Sequence, residues 1–204
     1  MSLQINIGVT PGREYLLEFT LSHLDRVLDF CNMKHETIIT LFAEDTSAVE
    51  DRQYLEGLYD EVVYSENLPL YERYNDLISY NGSDSDYVLK LDMDSIVSPD
   101  FFYHYLDHKH SGVALIGFSR CLFLDTQQLH AKEVNNNGSP IGSIFIHRNH
   151  IGRHFSEGSR DAILHIKLKS QGHYAAICDV PCLLDIKDGL NVWDFNQIRG
   201  KDLF

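Results

Sequence analysis

Short runs of β-branched and aliphatic residues alternate along this chain with helical stripes, and no other pattern in it narrows the architecture so far. Residues 5–9 read as a buried strand that leaves through the turn Thr10-Pro11-Gly12-Arg13. Leu17, Leu21, Leu24 and Leu28, with Thr20 and Val27 beside them, predict the helix that follows. A strand over 37–43, a helix through Tyr54 and Leu58, a strand at 61–64 and a helix over 69–80 continue the rhythm. Tyr87-Val88-Leu89-Lys90-Leu91 is the strongest strand signal, and it runs directly into Asp92-Met93-Asp94.

After that point the rhythm loosens. A helix over 99–108, strands at 113–118 and 122–124, and a polar, turn-rich loop at 135–140 are predicted. A strand at 143–146, a helix over 161–171 closed by Gly172, and strands at 174–177 and 182–184 complete the pattern. The expectation is an α/β fold with one mixed, mostly parallel sheet flanked by helices. No repeat or linker divides the chain, so a single domain over 1–204 is expected. A chain of this length buries roughly 70% of its unfolded surface, enough for one core.

Composition removes several classes of function. Seventeen Lys and Arg face 30 Asp and Glu, a net charge of -13, which disfavours binding to a nucleic-acid backbone. No apolar run approaches the ~20 residues that cross a bilayer, so no transmembrane segment is expected. Cys31, Cys121, Cys178 and Cys182 are scattered, as in a reduced, cytoplasmic chain. Cys178 and Cys182 form a C-x3-C pair, but no second pair closes a zinc site around them.

Asp92-Met93-Asp94 carries the chemistry. Residues two apart on a strand face the same way, and this pair ends its strand where open α/β sheets hold their ligands. Two such carboxylates call for a cation, and oxygen donors suit Mn2+ or Mg2+ completed by substrate phosphates. The other D-x-D, Asp84-Ser85-Asp86, follows a Gly-Ser turn and reads as a solvated loop.

Taken together, several features resemble the nucleotide-sugar-binding part of GT-A glycosyltransferases, and more narrowly the inverting family-two group. They are Thr10-Pro11-Gly12-Arg13 after the first strand, Glu44-Asp45 after the second, Arg73-Tyr74-Asn75, and the strand ending in Asp92-Met93-Asp94 with Pro99 close behind. Gly142-Ser143-Ile144-Phe145-Ile146-His147-Arg148 and Glu157-Gly158-Ser159-Arg160-Asp161 extend the resemblance into the second half. It implies a Rossmann-like GT-A sheet, with a nucleotide-sugar half at about 1–100 and an acceptor half at about 101–204. It also implies a metal-dependent transfer of sugar from a nucleoside-diphosphate sugar, UDP first among them, to a hydroxyl of a glycan or glycoconjugate, with inversion.

The resemblance further assigns roles. Asp94 would be a metal ligand, and Asp92 would serve the metal's water shell or the ribose. Thr10, Arg13, Asp45, Arg73 and Asn75 would line the nucleotide and its phosphates. Asp161 would be the base, with Glu157 in reserve. Where the family carries a His after the last core strand, this chain has Asp185, a third metal ligand by position, with Lys187 as a phosphate contact. Two other readings stand beside this one: a nucleotidyltransferase, whose Gly-rich basic loop Thr10-Pro11-Gly12-Arg13 matches poorly, and a non-catalytic sugar- or nucleotide-binding relative.

Three further features have plain alternatives. His104 and His108 share metal-pair spacing but read as a solvated helix face. His147, His150 and His154, with five basic residues between Arg148 and Lys169, form a patch suited to a diphosphate or anionic acceptor, or are ordinary surface. Trp193-Asp194-Phe195 would cover the site or anchor the C-terminal segment.

Overall fold

The computed structural model describes every residue except 1, 11, 45–48, 59, 60, 67, 157–160, 189–197, 199 and 204, and not the side chains of 14, 49–52 and 161. In chain order β1 (Leu3–Gly8) leads to α1 (Glu14–Phe30), β2 (Thr37–Glu44), α2 (Val49–Leu58), β3 (Val62–Ser65), α3 (Leu70–Ser79) and β4 (Tyr87–Asp92). The short β5 (Ser95–Val97) and α4 (Pro99–His108) follow, then β6 (Leu115–Phe118), β7 (Arg120–Asp125), β8 (His130–Asn135) and β9 (Ile144–His147). Next come α5 (Asp161–Ser170), β10 (Ala175–Cys178), β11 (Leu183–Lys187) and β12 (Lys201–Asp202).

Seven strands form the main sheet in the order β10-β6-β9-β4-β1-β2-β3. β1 pairs in parallel with β2 and β4, whereas β9 enters antiparallel to both β4 and β6. Ile5, Ile7, Leu89 and Leu91 lie fully buried on one face, against the leucine stripe of α1 and the Phe101, Phe102 and Tyr105 edge of α4. A smaller core under α5 joins Leu115, Ile144, Ile146, Phe155, Leu164 and Leu168.

The opposite face of β1, β2 and β4 is polar yet buried, with Gln4, Asn6, Thr40 and Lys90 all inaccessible. Burial of such groups is tolerated only when each is bonded. Gln4 Nε2 donates to Asn6 Oδ1 at 2.9 Å and Thr40 Oγ1 at 2.8 Å. Asn6 Nδ2 donates to the Leu77 and Tyr80 carbonyls at 2.6 and 2.8 Å, satisfying acceptors that the end of α3 leaves open. α3 is thereby fastened by its C-terminal end to the sheet centre.

The single sheet expected from the sequence is instead two. β12-β8-β7-β11-β5 form a second, five-stranded sheet. The reason for the miss is local: β5 has three residues, and β8 reads His-Ala-Lys-Glu-Val-Asn, too polar to signal a strand. The chain leaves the first sheet at Asp92 and enters the second at Ser95, so Met93 and Asp94 form the bend between them. Among the described residues, no helix is long and apolar enough to cross a membrane.

Candidate functional site

The bend at Met93 is held from both sides. Met93 is buried, Thr10 N–H donates to its sulfur at 3.0 Å, and Thr20 Oγ1 donates to its carbonyl at 2.6 Å. Gly8 lies in register with Asp92 and Phe42, so the turn after β1 and the end of β4 share one edge. Gly12 in that turn has φ +79°, a conformation that favours glycine, and Arg13 follows it to cap α1. Ser95 of β5 pairs with Asp185 of antiparallel β11, and Ile186 N–H donates to the Asp94 carbonyl at 2.9 Å. The second sheet thereby carries Asp185 to Asp94.

Four carboxylates and three cations of the described residues meet along this edge. Arg13 Nη2 lies 3.2 Å from Asp94 Oδ2, and its Nε lies 2.9 Å from Asp188 Oδ2. Lys90 Nζ donates to both oxygens of Asp92 at 3.1 and 3.2 Å, and Lys187 Nζ lies 2.8 Å from Asp185 Oδ1. Asp188 Oδ2 also accepts from the exposed Tyr15 hydroxyl at 2.5 Å.

With every member ionised, this group carries one excess negative charge, and the carboxyl groups register it. Burial, followed by the Asp94 charge, pushes Asp185 up to about 8 despite Lys187. Burial also raises Asp94; Asp92 adds to the shift, while Lys187 and Arg13 oppose it. Burial works against the charge on Lys187, but Asp185 and Asp94 hold it above its ordinary value. The balance at Arg13 is similar, with Asp94 and Asp188 outweighing burial.

Asp92, Asp94 and Asp185 offer hard oxygen donors, the chemistry that Mn2+ or Mg2+ prefers. Among the described residues no three His, Cys, Asp or Glu side chains converge to hold an ion unaided. A cation here fits as one shared between one or two carboxylates and phosphate oxygens.

Other residues singled out in the sequence have different surroundings. Arg73, on the first turns of α3, pairs with Glu44 at the end of β2 and reaches the Val9 carbonyl at 3.5 Å. It thus stands on the same edge as Thr10. Asn75 is turned elsewhere: its Nδ2 donates to the Phe155 carbonyl at 3.0 Å and its Oδ1 accepts from Phe155 N–H at 2.8 Å. Asp161 opens α5. Asp45, Glu157, Trp193 and the Asp161 side chain lie outside the described residues.

The helical histidines are not a solvated face. His104 is partly buried with its ring 5.3 Å from Phe118, and burial, then His108, lowers its pKa. The basic patch is largely paired. Arg148 lies 3.7 and 3.8 Å from Asp84 and Asp86, beyond the start of β4 and at the opposite end of that strand from Asp92. Arg153 pairs with Glu72, and Lys167 donates to the His154 carbonyl. All four cysteines are free, and burial pushes the Cys182 thiol up to about 12.

Lys90, Asp188 and Tyr15 escaped the sequence reading as parts of this site. Lys90 is fully buried mid-strand, its ammonium 4.0 Å from the Tyr74 ring centre. A lysine at the centre of the strongest strand, two residues before an aspartate, was the available signal, because burying it requires a partner. Asp188 and Tyr15 had none: Asp188 pairs with Arg13, distant in sequence, and Tyr15 bonds Asp188.

By sequence the chain matches no protein-family model and no curated protein. By structure it aligns with a candidate nucleotide-diphospho-sugar transferase from Desulfovibrio desulfuricans G20, at TM-score 0.58 and 13% identity over 96% of this chain and 86% of that one. The two chains share one fold. A 4-diphosphocytidyl-2C-methyl-D-erythritol synthase from Anaerococcus prevotii DSM 20548 aligns at TM-score 0.56 and 13% identity, over 87% of this chain and 86% of that one. In this shared architecture the carboxylate edge of β4 lies at a crossing between sheets, the kind of place where α/β folds bind ligands.

Proposed function

We propose that this chain is a metal-dependent glycosyltransferase, moving a sugar from a nucleoside-diphosphate sugar, with UDP the first nucleotide to test, to an acceptor hydroxyl with inversion. The observation that carries the reading is the meeting of the buried Asp94, the largely buried Asp185 and the half-buried Asp92 with Arg13, Lys187 and Lys90 at the C-terminal edge of the parallel strands. Mn2+ or Mg2+ shared between one or two of Asp94, Asp92 and Asp185 and the phosphate oxygens would bring the positive charge that a diphosphate requires. Bound there, the ion supplies Lewis-acid stabilisation of the charge on the departing diphosphate. Lys187 and Arg13 add fixed positive charge beside the same group, within a site already organised by the ladder between β5 and β11. Thr10 and Arg73 border the nucleotide edge. Asp161 at the start of α5 is the proposed base that takes the acceptor proton, with Glu157 in reserve.

A second reading, nucleotidyl transfer, draws support from the fold shared with the diphosphocytidyl synthase. The two differ in what is released. Glycosyl transfer from UDP-sugar frees UDP, whereas nucleotidyl transfer from a nucleoside triphosphate frees pyrophosphate. The test is thermal shift with UDP-, GDP- and CDP-sugars with and without Mn2+, followed by product analysis. Metal-dependent stabilisation that Asp94→Asn abolishes, with nucleoside diphosphate as product, is expected. Stabilisation without turnover on any acceptor would favour a non-catalytic relative, and no stabilisation by any donor would overturn the proposal.

A further inference from the structure

Arg13 is a direct ion-pair partner of Asp94. Its guanidinium is buried, with Nη2 3.2 Å from Asp94 Oδ2 and Nε 2.9 Å from Asp188 Oδ2. The backbone that carries Asp94 is fixed, its carbonyl by Ile186 N–H and the preceding Met93 by Thr10 and Thr20. Arg13 differs in kind. It caps α1 with no side-chain capping bond, so its long side chain is tied to the protein through the two carboxylates. Asp188 in turn accepts from the exposed Tyr15.

We infer that Arg13 is an exchangeable counter-ion, a positioning residue that neutralises Asp94 in the unliganded protein and is transferred to the diphosphate when a divalent ion takes Asp94. This rests on the metal-dependent reading above. Charge favours one of two arrangements: Arg13 joins Lys187 in offsetting Asp94, or the ion takes that part, and in the second case Arg13 is available to phosphate oxygens. A guanidinium suits both partners, since it matches carboxylate and phosphate alike. Asp188 keeps hold of Nε in either state and serves as the pivot. Arg13 therefore opposes binding of the metal alone and favours binding of the nucleotide, two effects of opposite sign from one side chain. A purely structural ion pair would change both in the same direction.

The test is Mn2+ titration followed by the electron paramagnetic resonance of free Mn2+, with and without UDP, on the full chain. Arg13→Met is expected to bind Mn2+ alone about five- to tenfold more tightly, while UDP binding to the Mn2+-loaded protein weakens about tenfold. Arg13→Lys should fall between, keeping charge but losing the fork. If Arg13→Met weakens both, or leaves Mn2+ binding unchanged, the exchange is wrong while the metal site stands. If the wild-type chain binds no Mn2+ with or without UDP, GDP or CDP, the metal reading fails and the exchange with it. Should Arg13→Met not fold, Arg13→Gln carries the test: Mn2+ alone should bind more tightly and UDP to the Mn2+-loaded protein more weakly, and a change of both in one direction overturns the inference.

Discussion

Replacing Asp185 by Asn should flatten the pH dependence of stability in this protein. The Asp185 carboxyl is enclosed between Asp94 and Lys187, and burial with the Asp94 charge lifts it to about 8. An aspartate in the unfolded chain titrates near 4. Between those values the folded chain retains a proton that the unfolded chain gives up. Its contribution is therefore whole below pH ~4 and is lost as pH rises through about 8. Each unit corresponds to about 1.4 kcal/mol, so from pH 5 to 8 the loss approaches about 4 kcal/mol. That is a large share of the ~5–15 kcal/mol typical of a domain. Asp94 is raised as well and acts in the same direction. His104, His147, His150 and His165 oppose it: burial lowers each of them, so their contribution grows as pH rises through the histidine range. The difference between wild type and Asp185→Asn removes the histidines from the comparison. Urea unfolding at half-unit steps from pH 5 to 8.5 measures it. Asn keeps the shape and cannot titrate, so the two curves should converge steadily at low pH and separate at high pH, with the variant the more stable. Parallel curves would refute the placement of an under-neutralised carboxyl at this position.

Two further outcomes follow from the packing around β4. Asn75→Ala leaves the Phe155 N–H and carbonyl without their partners in a buried place and should cost about 2–4 kcal/mol in chemical denaturation. UDP affinity, measured where the variant remains folded, should change by less than about twofold if Asn75 acts on Phe155 alone. Lys90→Met removes the counter-charge of Asp92, whose side chain is 25% exposed and can be rehydrated, so the loss should be about 2 kcal/mol. In a double-mutant cycle with Asp92→Asn, a coupling of about 1–2 kcal/mol is expected, and additivity within ~0.5 kcal/mol would dismiss the pair.

The parallel centre of the fold was plain in the sequence because its signals are local. Leu17, Leu21, Leu24 and Leu28 mark the helix over β1, and Tyr87 to Leu91 lead into the Asp pair at a strand end; the structure places all of them so. The second sheet was not, because β5 is three residues long and β8, with Lys132 and Glu133 adjacent at its centre, lacks the alternation of a half-buried strand. Asp94 and Asp185 could each be singled out alone, but their juxtaposition depends on the pairing of Ser95 with Asp185, which leaves no periodic trace. Asn75 shows the converse. Its short spacing from Arg73 suggested one shared site, yet successive positions on a helix diverge, and only Arg73 turns to the strand ends.

The ladder between β5 and β11 also sets an order of assembly. Its partners are separated by about 90 residues, a loop whose closure must be met before the contact returns anything. During synthesis, Arg13 and Asp94 exist together well before Asp185, Lys187 and Asp188 emerge. The parallel core can condense around β1, β2 and β4 in that interval, with Arg13 already able to quiet Asp94. Asp185 joins Asp94 only when β11 docks, and Leu183 and Ile186 of the same strand complete the main core, so one strand closes the core and the carboxylate cluster together.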